Sequence, residues 1–253
     1  MQTIAIICQK GGVGKTTTAG AVGAGLMRKG YRVLFIDLDA QGNLSYTMRA
    51  NTQGYNAAGI LQRPETTKEE IQRTDQGDII ASSIELAGAD TTITATGKEY
   101  RLREALQTIA GDYDFCIIDT PPALGILTIN ALTACDGAII PAQADIYSLQ
   151  GIAQLYSTLE AVKRYCNPSL QVMGILLTRY NPRLIIRREV AETLKETAGE
   201  LHTQLYNATI RECTAISEAA AKRQNIYDYA PKSNAAADYS RLVDEITEGS
   251  SRQ

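Results

Sequence analysis

Lys10 and Lys15 bracket Gly11-Gly12-Val13-Gly14, and Thr16 and Thr17 follow directly. Glycines let backbone N–H groups close around an anion with no Cβ in the way. A lysine just past them supplies a point charge to terminal phosphates, and the next hydroxyl can reach Mg²⁺. The stretch Lys10, Gly11, Gly12, Val13, Gly14, Lys15, Thr16, Thr17 is therefore the candidate polyphosphate loop. Gln9 stands where the general pattern has a glycine, and Lys10 fills the next position. A lysine inside a ring of amides that already attracts anions has little use for the phosphates of its own loop. It makes sense if its ammonium reaches a second phosphate group.

Two further stretches carry carboxylates. Leu34-Phe35-Ile36-Asp37-Leu38-Asp39 ends an apolar run on two acids in alternate positions, which suits one acid serving Mg²⁺ or its waters and one orienting an attacking water. Phe115-Cys116-Ile117-Ile118-Asp119 leads to a single acid, followed by Thr120-Pro121-Pro122. The prolines hold that loop extended, so it can respond to a terminal phosphate. Thr16, Asp37 and Asp119 are the candidate metal residues.

These residues need strands that end together and a helix whose N-terminus faces the loop. Strand-like runs at Thr3–Cys8, Arg32–Asp37, Phe115–Asp119, Gly137–Pro141 and Val172–Thr178 alternate with helical periods. The helices are expected near Thr17–Lys29, Tyr100–Ala110, Leu124–Ala134, Ser148–Tyr165, Leu184–Ala198, Thr214–Arg223 and Ala235–Glu248. This alternation predicts an α/β fold: a doubly wound, mostly parallel central sheet flanked by helices on both faces, in one domain over residues 1–248 with a tail at 249–253. Between Asn51 and Gly97 the period is unclear. Helices at Ala57–Gln62 and Lys68–Arg73 and a strand at Ile79–Ala81 are expected there.

The combination of Lys10 through Thr17, Asp37-Leu38-Asp39-Ala40-Gln41-Gly42-Asn43 and Ile118-Asp119-Thr120-Pro121-Pro122 closely resembles the ParA/Soj family of DNA-partitioning ATPases, within the deviant Walker A group of P-loop NTPases. The likeness extends to Gly174 through Tyr180 and Ile226 through Ser233. It implies ATP and Mg²⁺ as cofactors, with Lys10, Lys15 and Asp39 as catalytic residues. Lys10 becomes the signature lysine that crosses a dimer interface to the partner's ATP, Lys15 and Thr16 the phosphate and metal groups in cis, and Asp39 the residue that positions the hydrolytic water. It also implies a homodimer with ATP, non-specific DNA binding, slow hydrolysis stimulated by a ParB-like centromere-binding protein, and a cytoplasmic, nucleoid-associated location. The first strand starting at Thr3 matches the small form without an N-terminal helix-turn-helix.

One departure concerns DNA. Soj-like relatives carry a Pro-Arg-Asn-Val-Arg-like segment before Ser-Glu-Ala, and here the later arginine is Ala215. Basic residues that can replace it are Arg179, Arg183, Arg187, Arg188, Lys222 and Arg223. Arg183, Arg187 and Arg188 share a helical face, where Glu189, Glu192 and Glu196 are the candidates to neutralise them. A net charge of −3 excludes a uniformly basic nucleic-acid binder, so any DNA contact is a local face. Five dispersed cysteines without a C-x-x-C pair read as buried free thiols, and the single His202 as a helix-surface residue.

The rival readings are three. A Min-like membrane-positioning ATPase needs a basic amphipathic C-terminal helix, whereas residues 239–248 are acidic, and no membrane contact is expected. An iron–sulfur reductase needs cysteines at a dimer axis. A metabolic ligase that uses ATP has no need of Lys10.

Overall fold

A computed structural model describes residues 1–250. The chain begins β1 (Gln2–Ile6), α1 (Lys15–Arg28), β2 (Val33–Asp37), α2 (Asn43–Thr47) and α3 (Ala57–Gln62). A hairpin of β3 (Gln72–Thr74) and β4 (Gly77–Ile80) follows, then α4 (Ala89–Thr92), α5 (Arg101–Gln107), β5 (Phe115–Asp119) and α6 (Ile126–Ala134). The second half runs β6 (Gly137–Ala142), α7 (Ile146–Tyr165), β7 (Gln171–Tyr180), α8 (Ile185–Glu200), β8 (Ile210–Arg211), α9 (Thr214–Ala221), α10 (Ile226–Tyr229) and α11 (Asn234–Ser250).

The strands form one eight-stranded sheet in the order β3-β4-β2-β5-β1-β6-β7-β8. Every neighbouring pair is parallel except β3 with β4. Side-chain alternation along the strands sorts the core into two layers. Ile4, Ile6, Val33, Phe35, Phe115 and Ile117 face α1, α10 and α11, whereas Ala5, Ile7, Leu34, Ile36, Cys116 and Ile118 face α3, α5, α6, α7 and α8. Central strands buried on both faces explain why these runs are continuously apolar.

The five expected strands and the seven longer expected helices are present, with ends displaced by a few residues. The helix at Ala57–Gln62 matches the expectation to the residue, capped by Asn56, whose side chain accepts from Ala58 and Gly59 N–H. The expected helix at Lys68–Arg73 is a correction: Lys68–Glu70 form turns, and Gln72–Thr74 form the antiparallel edge strand. Glu70 is drawn inside to accept from the Asn56 N–H at 2.5 Å, and Gln72 Nε2 donates to the carbonyls of Asn51 and Tyr55, which commits this backbone to an extended path. Asp75-Gln76 then turns the chain, closed by Gly77 at φ 121°, a left-handed value that glycine reaches without a Cβ clash. α11 continues to Ser250, two residues into the expected tail, and the rest of that tail lies outside the described residues.

Candidate functional site

Three strand ends set the site. Register places Ile6 opposite Asp119 and Asp119 opposite Asp37, so β1, β5 and β2 finish level with one another. The loop after Ile6 turns back over this edge into α1, with Gly12 at φ 74° and Gly14 at φ 92°. Its carbonyls are latched from neighbouring strands: Thr178 Oγ1 donates to Val13 O at 2.7 Å and to Ala142 O at 3.2 Å, and Gln143 Nε2 donates to Gly12 O at 3.2 Å. Lys15 opens α1 with its side chain buried and its ammonium 3.4 Å from Lys10 O. A cavity of about 170 Å³ lies beside the loop, between Val13, Gly14, Thr17 and Thr178 on one side and Ile210–Thr214 on the other.

The two buried carboxylates are unlike one another. Asp37 Oδ2 accepts from Ser45 N at 2.8 Å and Ser45 Oγ at 2.7 Å, and Oδ1 accepts from Asp39 N at 3.1 Å. Burial pushes its carboxyl up to about 6 in spite of those bonds. Asp119 is also fully buried, and neither of its oxygens makes a well-formed hydrogen bond, although the Thr16 hydroxyl lies close enough to favour its charged form. Burial first, then the neighbouring Asp37 charge, holds the Asp119 carboxyl well above the usual range; the Thr16 hydroxyl and the Lys15 charge offset this only in part. Asp39 is half-buried at the loop start, where Oδ1 accepts from Gln41 N at 3.0 Å.

Lys10 sits at the rim. Its ammonium is 2.6 Å from Asp145 Oδ2 and 5.9 Å from the centre of the Tyr147 ring, with about a third of each charged side chain exposed. Asp145 also caps α7, accepting from Ser148 N at 2.9 Å through Oδ1. Partial burial raises the Asp145 carboxyl, but the Lys10 and Ser148 hydrogen bonds outweigh it and hold it below the usual range. Sequence reasoning did not find Asp145, although an Asp three residues before Ser148, at a predicted helix start, is a capping signal. Ser45, Ser82 and Thr178, which hold the site's loops, left no comparable signal.

The basic residues divide. Arg179 is the penultimate residue of β7, at φ 48°, and Arg183, Arg187 and Arg188 gather at the start of α8, where Arg187 donates back to Arg179 O. Among the described residues no carboxylate forms an ion pair with any of these four, Glu189, Glu192 and Glu196 included. Leu184, Ile185 and Ile186 lie exposed within the same turn. Lys222 and Arg223 follow α9 instead; Arg223 stacks 4.7 Å from the Tyr46 ring and donates to Tyr46 O at 2.7 Å, which commits its guanidinium to α2. The cysteines are free, with Cys8, Cys116 and Cys135 buried and Cys166 and Cys213 partly exposed. His202 is exposed just past the end of α8, at φ 53°, rather than on its face.

A loop of left-handed glycines running from a parallel strand into a buried lysine at a helix start, beside two level carboxylates, defines the P-loop class of α/β nucleotide-binding proteins. A family model described as an AAA domain matches residues 1–172. The sporulation initiation inhibitor protein Soj of Bacillus subtilis is 38% identical over 248 residues, covering 96% of this chain and 97% of that protein. The chromosome-partitioning ATPase Soj of Thermus thermophilus is 37% identical, covering 97% and 95%. The chain belongs to the ParA/Soj family of partitioning ATPases. Among solved structures, a cobyrinic acid a,c-diamide synthase from Mycobacterium smegmatis with bound ADP and magnesium superposes with a TM-score of 0.83 at 32% identity, over 96% of this chain and 93% of that one.

Proposed function

We propose that this protein is a Mg²⁺-dependent ATPase that closes into a dimer around ATP, binds DNA without sequence preference in that state, and is released when a ParB-like partner stimulates hydrolysis. The observation that carries the reading is the contrast between its two loop lysines. Lys15 is buried at the helix start, where a terminal phosphate of the chain's own nucleotide belongs. Lys10 is half-exposed and holds only a carboxylate in cis, so it can exchange Asp145 for a phosphate presented by a second subunit.

The residues present fit a magnesium ion. Asp119 is a buried carboxylate without a well-formed hydrogen bond, Asp37 lies level with it, and Thr16 is the second residue of the adjoining helix. Among the described residues no three acidic, histidine or cysteine side chains form a cation cage, so Thr16, Asp37 and Asp119 would hold Mg²⁺ together with the nucleotide rather than alone. When bound it supplies charge for the transferring phosphoryl group. The loop amides and Lys15 hold the phosphates, and the 170 Å³ cavity receives the nucleoside. Asp39, with Oδ1 fixed by Gln41 N–H, orients the attacking water.

The ligase reading suggested by the synthase has no use for Lys10. The membrane reading meets a second obstacle, because Tyr239, Leu242, Val243 and Ile246 spend the apolar face of α11 in the core. No helix among the described residues is long and apolar enough to cross a membrane. Arg179, Arg183 and Arg188 form the DNA face, and Arg187 is committed to Arg179 O. The test is phosphate release with Mg²⁺ and ATP, with and without non-specific DNA. The wild-type chain is expected to turn over slowly, and Asp39→Ala is expected to bind ATP equally well without hydrolysing it. Normal hydrolysis by Asp39→Ala would remove that residue from the water-positioning role.

A further inference from the structure

The two carboxylate strands already meet where they end, Leu38 N donating to Asp119 O at 2.9 Å, and one surface segment also ties the loops that follow them. Residues 82–90 leave the end of β4 and cross to the start of α6, pinned underneath by buried Leu86 and Ala89. At the first end, Ser82 N donates to Ser45 Oγ at 2.8 Å, and Ser45 Oγ donates to Asp37 Oδ2 at 2.7 Å. Ser82 Oγ donates to the carbonyl of Asp39 at 2.5 Å. The backbone that carries the water-positioning acid is therefore held from this segment. At the other end, Asp90 Oδ1 accepts from Ile126 N at 2.7 Å.

That second bond does a job the adjoining sequence leaves undone. α6 begins just after the Thr120–Gly125 loop that leaves Asp119, and its N-cap residue, Gly125, has no side chain to satisfy the first helical N–H groups. Asp90 supplies the missing acceptor from another part of the chain, and its negative charge suits a helix N-terminus. The approach is close: a Cβ on Gly125 would lie 2.6 Å and 2.7 Å from the two Asp90 carboxylate oxygens, so a side chain there displaces that carboxylate. This loop is tied elsewhere as well: Thr128 Oγ1 donates to Ala123 O at 2.6 Å from within α6, and at the loop's start Thr120 Oγ1 donates to Ile6 O at 2.8 Å.

We infer that Ser82 and Asp90 are positioning residues, and that segment 82–90 sets the Asp39 loop and the loop after Asp119 in register for hydrolysis. This rests on the ATPase reading above. Neither residue touches nucleotide in this account. Each fixes the backbone of a loop that leaves one of the site's carboxylates, so losing either one loosens the alignment of water against phosphate while leaving the phosphate cradle intact.

The experiment compares kcat, KM and thermal unfolding of wild type, Asp90→Ala, Asp90→Asn, Gly125→Ala and the Asp90→Ala/Gly125→Ala double variant with Mg²⁺ and ATP. A misplacement of about 1 Å can cost about a hundredfold in kcat, and the smaller shift expected here costs about tenfold. Asp90→Ala is expected to lose that factor with KM within about twofold of wild type. Asp90→Asn, which keeps an oxygen for Ile126 N, is expected to recover most of it. Gly125→Ala displaces the same carboxylate and is expected to match Asp90→Ala, with the double variant no worse than either. Wild-type kcat in both Asp90→Ala and Gly125→Ala overturns the inference. So does a kcat loss that tracks the fall in unfolding temperature and is not rescued by asparagine, because that is a purely structural role. A wild-type chain that does not hydrolyse ATP overturns the parent reading and this one with it, whereas an active wild type with an equally active Asp90→Ala overturns this one alone.

Discussion

Lys10 and Lys15 carry the same charge five residues apart, and their surroundings give them different work. Lys15 is buried against the loop it follows, whereas Lys10 reaches out to a carboxylate 135 positions away in sequence. Asp145 serves that lysine and the first turn of α7 at once, so Asp145→Ala removes a helix cap together with a half-exposed ion pair. Losing the cap costs about 1 kcal/mol, and the pair adds at most about another 1 kcal/mol. Urea unfolding of Asp145→Ala should show a loss within that sum, and an unchanged midpoint would mean that neither contact contributes. At this scale the chemistry was legible wherever residue type is dictated by what it must touch. Glycines, lysine, threonine and strand-terminal aspartates announce a phosphate and a cation. Ser45, Ser82 and Asp90 did not announce themselves, because their partners are backbone groups or side chains that only the fold brings near, and Asp145 announced its cap but not its lysine.

At the scale of elements, continuous apolar runs ending in acids read correctly as buried parallel strands, and the edge of the sheet did not. Gln72-Arg73-Thr74 is polar and short, and its strand exists because Glu70, Gln72 and the Asp75-Gln76 turn tie it down, which no periodicity registers. The opposite edge depends on charge in a similar way. Asp238 of α11 is buried and accepts from Arg211 N, Nε and Nη2, at 3.0, 2.9 and 2.7 Å, and from Arg241, fastening β8 to the helix. Burial pulls this carboxyl up, but the arginine hydrogen bonds prevail and hold it below the usual range. A depressed folded value means the stabilisation is complete above the unfolded pKa of about 3.9 and is lost as pH falls through the folded one. Asp238→Asn should therefore destabilise the protein by about 1–3 kcal/mol at neutral pH and by progressively less below pH 4. Denaturant midpoints that differ by the same amount at pH 3 and pH 7 would contradict the assignment.

For the whole molecule, every loop proposed to act leaves the carboxyl edge of one sheet, so a second copy facing that edge would meet Lys10 and the arginines around α8 together. Neutralising Arg183 and Arg188 to glutamine removes four charges from a dimer. If all four meet phosphates, the slope of log affinity against log salt on duplex DNA should become shallower by about 3 to 4. An unchanged slope would place the DNA face elsewhere. The account depends most on Lys10 acting across subunits, and sedimentation of the non-hydrolysing Asp39→Ala chain, with and without Lys10→Ala, in saturating Mg²⁺ and ATP tests this directly. The predicted result is a dimer for Asp39→Ala and a monomer that still binds ATP for Asp39→Ala/Lys10→Ala. An ATP-dependent dimer that forms equally well without Lys10 would contradict the cross-subunit role, while leaving the loop and Lys15 as a nucleotide site.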